Sequence, residues 1–102
     1  MTSKNAITKI ETAVVPPRWG LLRIHTAEGI FGFGEFTVEG QHDGAEACVR
    51  ELSAYFVGQD ATQIKSLVRG CYDQSFYHGG PHFMSALGGI EIALWDLSLI
   101  HI

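Results

Sequence analysis

Along the amino-terminal part of the chain, apolar residues fall at every second position; beyond it they fall at every third or fourth. In residues 4–15, Ile10, Thr12 and Val14 alternate with Lys9, Glu11 and Ala13. That period predicts a strand with one buried face. It stops at Pro16-Pro17, which hold the chain extended and cannot donate to a ladder. Residues 20–26 predict a second strand, with Leu22 and Ile24 set among Arg23 and His25. Ala27-Glu28-Gly29 predicts the turn that follows, Gly29 taking positive φ at little cost. Residues 30–38 predict a third strand, with Phe31, Phe33 and Glu35 on one face and Gly32 and Gly34 on the other. Two glycines on one face predict that another element approaches the backbone closely there.

After residue 40 the period lengthens. Asp43 is placed to cap a helix over 44–57, with Val49, Leu52 and Phe56 on one side and Gly58 ending it. Asp60 is placed to cap a second helix, in which Ile64, Leu67, Val68, Cys71 and Tyr72 share a face. Residues 74–81 predict a loop closing on Gly79-Gly80-Pro81. In a third helix, over 82–98, Phe83, Leu87, Ile90, Leu94 and Leu97 form one stripe. Met84, Ile92 and Trp95 lie off that stripe, and only Glu91 and Asp96 carry charge. A helix apolar on more than one face is buried on more than one face. Three short strands and two helices can cover one side, so the other is expected to pack on something outside these elements. Strands followed by helices predict an α+β fold, a three-stranded antiparallel meander and then three helices. No internal repeat or low-complexity segment interrupts it.

Composition narrows the function classes. At 102 residues, 46% hydrophobic and 18% charged, the chain fits one small folded domain. A net charge of −4 without a Lys or Arg run argues against nucleic acid and against an anionic membrane surface as partners. The segment Met1 to Thr12 has no apolar signal-peptide stretch, and no charge-free apolar run is long enough to span a bilayer, so a cytoplasmic location is the expectation. Cys48 and Cys71 sit at apolar positions of helical patterns, which predicts reduced core cysteines.

Few residues suggest chemistry. Gly32-Phe33-Gly34 lacks the third glycine of a dinucleotide loop and lies within a strand. His78 and His82 are four apart, but Gly79-Gly80-Pro81 breaks the helix that would align them as metal ligands. No Ser-His-Asp or Cys-His arrangement has a local motif behind it. Glu35 ends a strand after two glycines, where it is expected either to pair with a nearby cation or to point into a site. Arg18-Trp19 follows two prolines, and a cation with a large aromatic on a rigid loop suits an anionic, hydroxylated ligand.

Several segments occur in a familiar order. They are Pro16-Pro17-Arg18-Trp19, Gly32-Phe33-Gly34-Glu35, Glu39-Gly40, Gly58-Gln59-Asp60, Phe76-Tyr77-His78-Gly79-Gly80-Pro81 and Ala93-Leu94-Trp95-Asp96. Together they resemble the amino-terminal domain of the mandelate racemase and muconate lactonizing branch of the enolase superfamily, closest to its galactonate dehydratases. The resemblance covers about residues 7–97. It implies a domain that caps a (β/α) barrel, within a carbon–oxygen lyase acting on a small sugar acid. The barrel of such an enzyme supplies a base and three carboxylates that hold Mg²⁺. Its base removes the proton α to the substrate carboxylate, the metal stabilises the enediolate, and the 3-hydroxyl leaves. The cap supplies loops that close over the substrate. By resemblance these are Pro17-Arg18-Trp19 and the segment from Glu39 to Asp43, giving Pro17, Arg18, Trp19 and Glu39 as substrate-binding candidates. No catalytic or metal-binding residue is implied for this chain itself, which is expected to be inactive alone. Full-length relatives imply a homo-oligomer.

Residues 98–102 depart from the family pattern, so a capping domain over 1–97 and a non-family tail at a truncation are the expected organisation. Two other readings remain open: another dehydratase, racemase or cycloisomerase of the branch, and a non-enzymatic α+β module that binds another protein. Burial of Met84, Ile92 and Trp95 within the chain alone would weaken the case for an absent barrel.

Overall fold

The computed structural model describes residues 4–15, 19–37, 42–74 and 81–100. Three strands, β1 (Ile7–Val15), β2 (Trp19–Thr26) and β3 (Phe31–Glu35), precede three helices, α1 (His42–Phe56), α2 (Ile64–Gln74) and α3 (Pro81–Ile100). The strands form an antiparallel sheet in the order β1-β2-β3. Its register places Ala13, Leu21 and Glu35 in one row and Glu11, Arg23 and Phe33 in the next. Both sets therefore face the same way.

β1 starts at Ile7 rather than at residue 4, because Lys4 and Asn5 lie in a turn and Ala6 bridges to Asp60. β3 stops at Glu35, short of residue 38. Phe36 leaves the ladder, buries its ring completely and donates its amide to the Gly20 carbonyl at 2.9 Å. A Cβ at Gly20 would stand 2.7 Å from that ring, so the start of β2 needs a glycine there.

Two capping expectations are corrected. α1 begins at His42, which places Asp43 inside the first turn, where its charge faces the positive end of the helix dipole. Asp60 does not cap α2. Its Oδ1 accepts from the Thr62 amide at 2.9 Å and the Thr62 hydroxyl at 2.7 Å, closing a local turn. Leu67 donates to the Gln63 carbonyl, so the helix opens three residues later. Gly58 does end α1, with φ of 91°.

The core lies between the sheet and the helices. Ile24, Phe36, Val49, Phe56, Ile90 and Leu94 are fully buried in it. Each such side chain contributes roughly 1.5–3 kcal/mol by leaving water. α3 crosses the glycine face of β3: a Cβ at Gly32 would overlap the Ala93 carbonyl, and one at Gly34 the Gly89 carbonyl. The two glycines are there because helix backbone lies directly on them. By length and composition the stretch 82–100 of α3 is also apolar enough to cross a membrane. The run includes Glu91 and Asp96, which a charge-free criterion does not admit. Its Ala86, Leu87, Ile90, Ala93, Leu94 and Leu97 form the domain core. Its other side is bare: Met84 is 48%, Ile92 57%, Trp95 44% and Leu99 69% exposed.

Candidate functional site

Of the candidate ligand-facing residues, Trp19 stands at the start of β2, beside the end of β3. Val15 pairs with Trp19 at the last rung of the hairpin. Trp19 is half exposed, with its ring available at the domain surface. Pro17, Arg18 and Glu39 lie outside the described residues, as does His78 of the suggested histidine pair.

Three elements meet at this corner through Thr37. The Gly20 amide donates to Thr37 Oγ1 at 3.1 Å. Thr37 Oγ1 donates to Glu35 Oε2 at 2.7 Å. Ser85, near the start of α3, donates its hydroxyl to the Thr37 carbonyl at 3.3 Å. The first turn of α1 is close as well, since a Cβ on Gly44 would stand 3.0 Å from His82 Nε2. Glu35 is exposed, and its carboxylate accepts from the Thr37 hydroxyl among the described residues. Sequence reasoning missed Thr37; the signal was a hydroxyl two residues beyond a strand-ending carboxylate, which is weak by itself.

The outer sheet face carries a separate charge cluster. Glu11 accepts from Arg23 at 2.8 Å, from His25 Nε2, and pairs with Lys9 at 3.4 Å. Arg23 also lies over the Phe31 ring, 4.9 Å from its centroid. Hydrogen bonds from His25 first, and then Arg23, hold the Glu11 carboxyl down at about 2. This network ties the two strands together. A shallow depression beside it is lined by Ala13, Leu21, Arg23 and Phe33.

Neither cysteine forms a disulfide; Cys71 is fully buried and Cys48 partly so. Burial pushes the Cys71 thiol up to about 11 and raises that of Cys48. Neither is a poised nucleophile. Among the described residues no three of His, Cys, Asp and Glu gather in a way that could hold a metal ion. Those residues therefore do not fit a resident Mg²⁺. The corner can present an aromatic surface and order the chain around it, and its described residues assemble no acid–base pair.

Residues 3–99 match the model of the mandelate racemase / muconate lactonizing enzyme N-terminal domain. The chain is 50% identical over 91 residues to D-galactonate dehydratase of Pectobacterium atrosepticum. That match covers 89% of this chain and 24% of the relative. Among solved structures, an enolase from Pantoea ananatis with bound D-gluconate and Mg superposes with a TM-score of 0.86 at 26% identity, over 91% of this chain and 24% of that one. A member of the enolase superfamily from Salmonella Typhimurium gives 0.85 at 30% identity, over 91% and 26%. The chain thus spans about a quarter of the length of these relatives. With its three-strand, three-helix fold and its family match agreeing over almost every residue, the chain belongs to the mandelate racemase / muconate lactonizing enzyme family, as an N-terminal domain of the enolase superfamily.

Proposed function

We propose that this domain is the cap of a Mg²⁺-dependent hydro-lyase that converts D-galactonate to 2-dehydro-3-deoxygalactonate and water. The observation that carries this is the 50% identity to D-galactonate dehydratase across nine-tenths of the chain. The bare stripe of Met84, Ile92, Trp95 and Leu99 on α3 supports the same reading, because it provides an apolar surface for a following barrel to cover.

In this proposal the barrel holds the base and the Mg²⁺, and the metal supplies charge stabilisation when bound. The cap does no bond breaking and is inactive alone. Its part is to bring Trp19, together with Pro17, Arg18 and Glu39, over the sugar acid. Trp19 offers a flat apolar face to the carbon skeleton, Arg18 a charge for the carboxylate. The full-length enzyme is proposed to be cytoplasmic and homo-oligomeric.

A second sugar acid is favoured by the Pantoea ananatis relative, which binds D-gluconate. Assaying the full-length enzyme for Mg²⁺-dependent dehydration of D-galactonate and D-gluconate separates the two. The proposal expects turnover of galactonate in preference. Turnover of gluconate alone supports the second reading, and turnover of neither rejects both.

A further inference from the structure

We propose that Thr37 is a positioning residue for substrate: it clamps the start of β2, the end of β3 and the start of α3 into one unit, and so fixes where Trp19 stands. This rests on the reading of Trp19 as a substrate contact.

The Thr37 hydroxyl has one proton and two acceptor lone pairs. Its proton goes to Glu35 Oε2 at 2.7 Å. That commitment turns a lone pair towards the Gly20 amide, 3.1 Å away. Gly20 is the residue after Trp19, so the bond fixes the peptide on which the indole is mounted. The fit is tight, because Gly20 lies against the buried Phe36 ring, whose residue donates back to the Gly20 carbonyl at 2.9 Å. Gly20 is thus held on both its amide and its carbonyl by the two residues that follow β3. The Thr37 carbonyl takes the third tie, from Ser85 of α3 at 3.3 Å. Glu35 acts through Thr37, by orienting its hydroxyl. A residue that only filled space here would not need an oxygen, and valine would serve as well as threonine.

The test uses the full-length enzyme and compares Thr37→Val, Thr37→Ser and Trp19→Ala by steady-state kinetics on D-galactonate. Thr37→Val keeps the shape and removes the hydroxyl. It is expected to raise KM about 3- to 10-fold, the worth of one net hydrogen bond, with kcat little changed. Thr37→Ser is expected to restore KM, and the Gly20 amide to exchange faster in the valine variant only. If Trp19→Ala raises KM while Thr37→Val leaves it at the wild-type value, the clamp is rejected and the substrate role of Trp19 stands. If Trp19→Ala also leaves KM unchanged, both fall together. Should Thr37→Val not fold, Ser85→Ala cuts only the third tie. It must then raise KM in the same direction, and an unmoved KM overturns the proposal.

Discussion

Asp96 of α3 accepts the backbone amide of Phe33, Oδ2 to nitrogen at 2.9 Å, across 63 residues of sequence. β3 is an edge strand, and an edge amide left open invites pairing with another chain. The carboxylate closes that position and pins the carboxy-terminal half of α3 to the sheet. Asp96→Ala is expected to cost about 1 kcal/mol, since the bond is charge-assisted but exposed. Urea unfolding measures the loss, and the Phe33 amide should exchange faster in the variant. A midpoint and exchange rate equal to wild type would reject this role.

Gly34 permits the crossing of α3 over β3. An alanine there would drive its Cβ into the Gly89 carbonyl, and backbone cannot rotate aside as a side chain can. Gly34→Ala is expected to destabilise the domain by about 2–3 kcal/mol, the upper part of the range for overpacked cores. Gly29→Ala makes a useful contrast, because nothing lies near its Cβ and only its φ of 93° is strained. Its cost should be smaller, about 1 kcal/mol.

The glycine pair shows what could be read from sequence. Gly32 and Gly34 on one face announced a close approach, but that the approaching element is α3 emerges only from the fold. The bare stripe of α3 was legible as an apolar count too high for one buried face. The caps were less legible. Asp60 has the residue type of a helix cap, but its local contact with Thr62 and the bridge to Ala6 compete for it. The Glu11 cluster was hidden altogether, because only the register of β1 on β2 places Glu11 opposite Arg23. Thr37 was hidden because its partners come from three elements, and no spacing along the chain marks them.

The Glu11 cluster makes stability depend on pH. Its carboxyl titrates near 2 in the folded chain, against 4.5 without partners, so folding is favoured by the ionised form. The contribution is whole above about pH 4.5 and is lost as the pH falls through about 2. Glu11→Gln should flatten the stability profile across that window. A variant profile parallel to wild type from pH 5 to 2 would contradict the account.

Thiol labelling checks the core. With its thiol at about 11 against a usual 9, Cys71 carries about 100-fold less thiolate at neutral pH than a free cysteine, apart from its burial. Labelling of folded protein by a thiol reagent at pH 7 should be slow at Cys71 and rapid once urea unfolds the chain. Equal rates in the two conditions would show that the helix layer does not close over it.

The central claim is that this domain caps a larger body through the bare face of α3. The most direct measurement mixes the chain with the separately produced C-terminal three-quarters of a D-galactonate dehydratase, and follows Trp95 fluorescence together with galactonate turnover. The account predicts saturable binding, a blue shift of Trp95 as its indole leaves water, and Mg²⁺-dependent turnover that neither part shows alone. It further predicts that Ile92→Lys abolishes all three. Binding and turnover untouched by Ile92→Lys, or a chain that turns over galactonate without the second part, would contradict it.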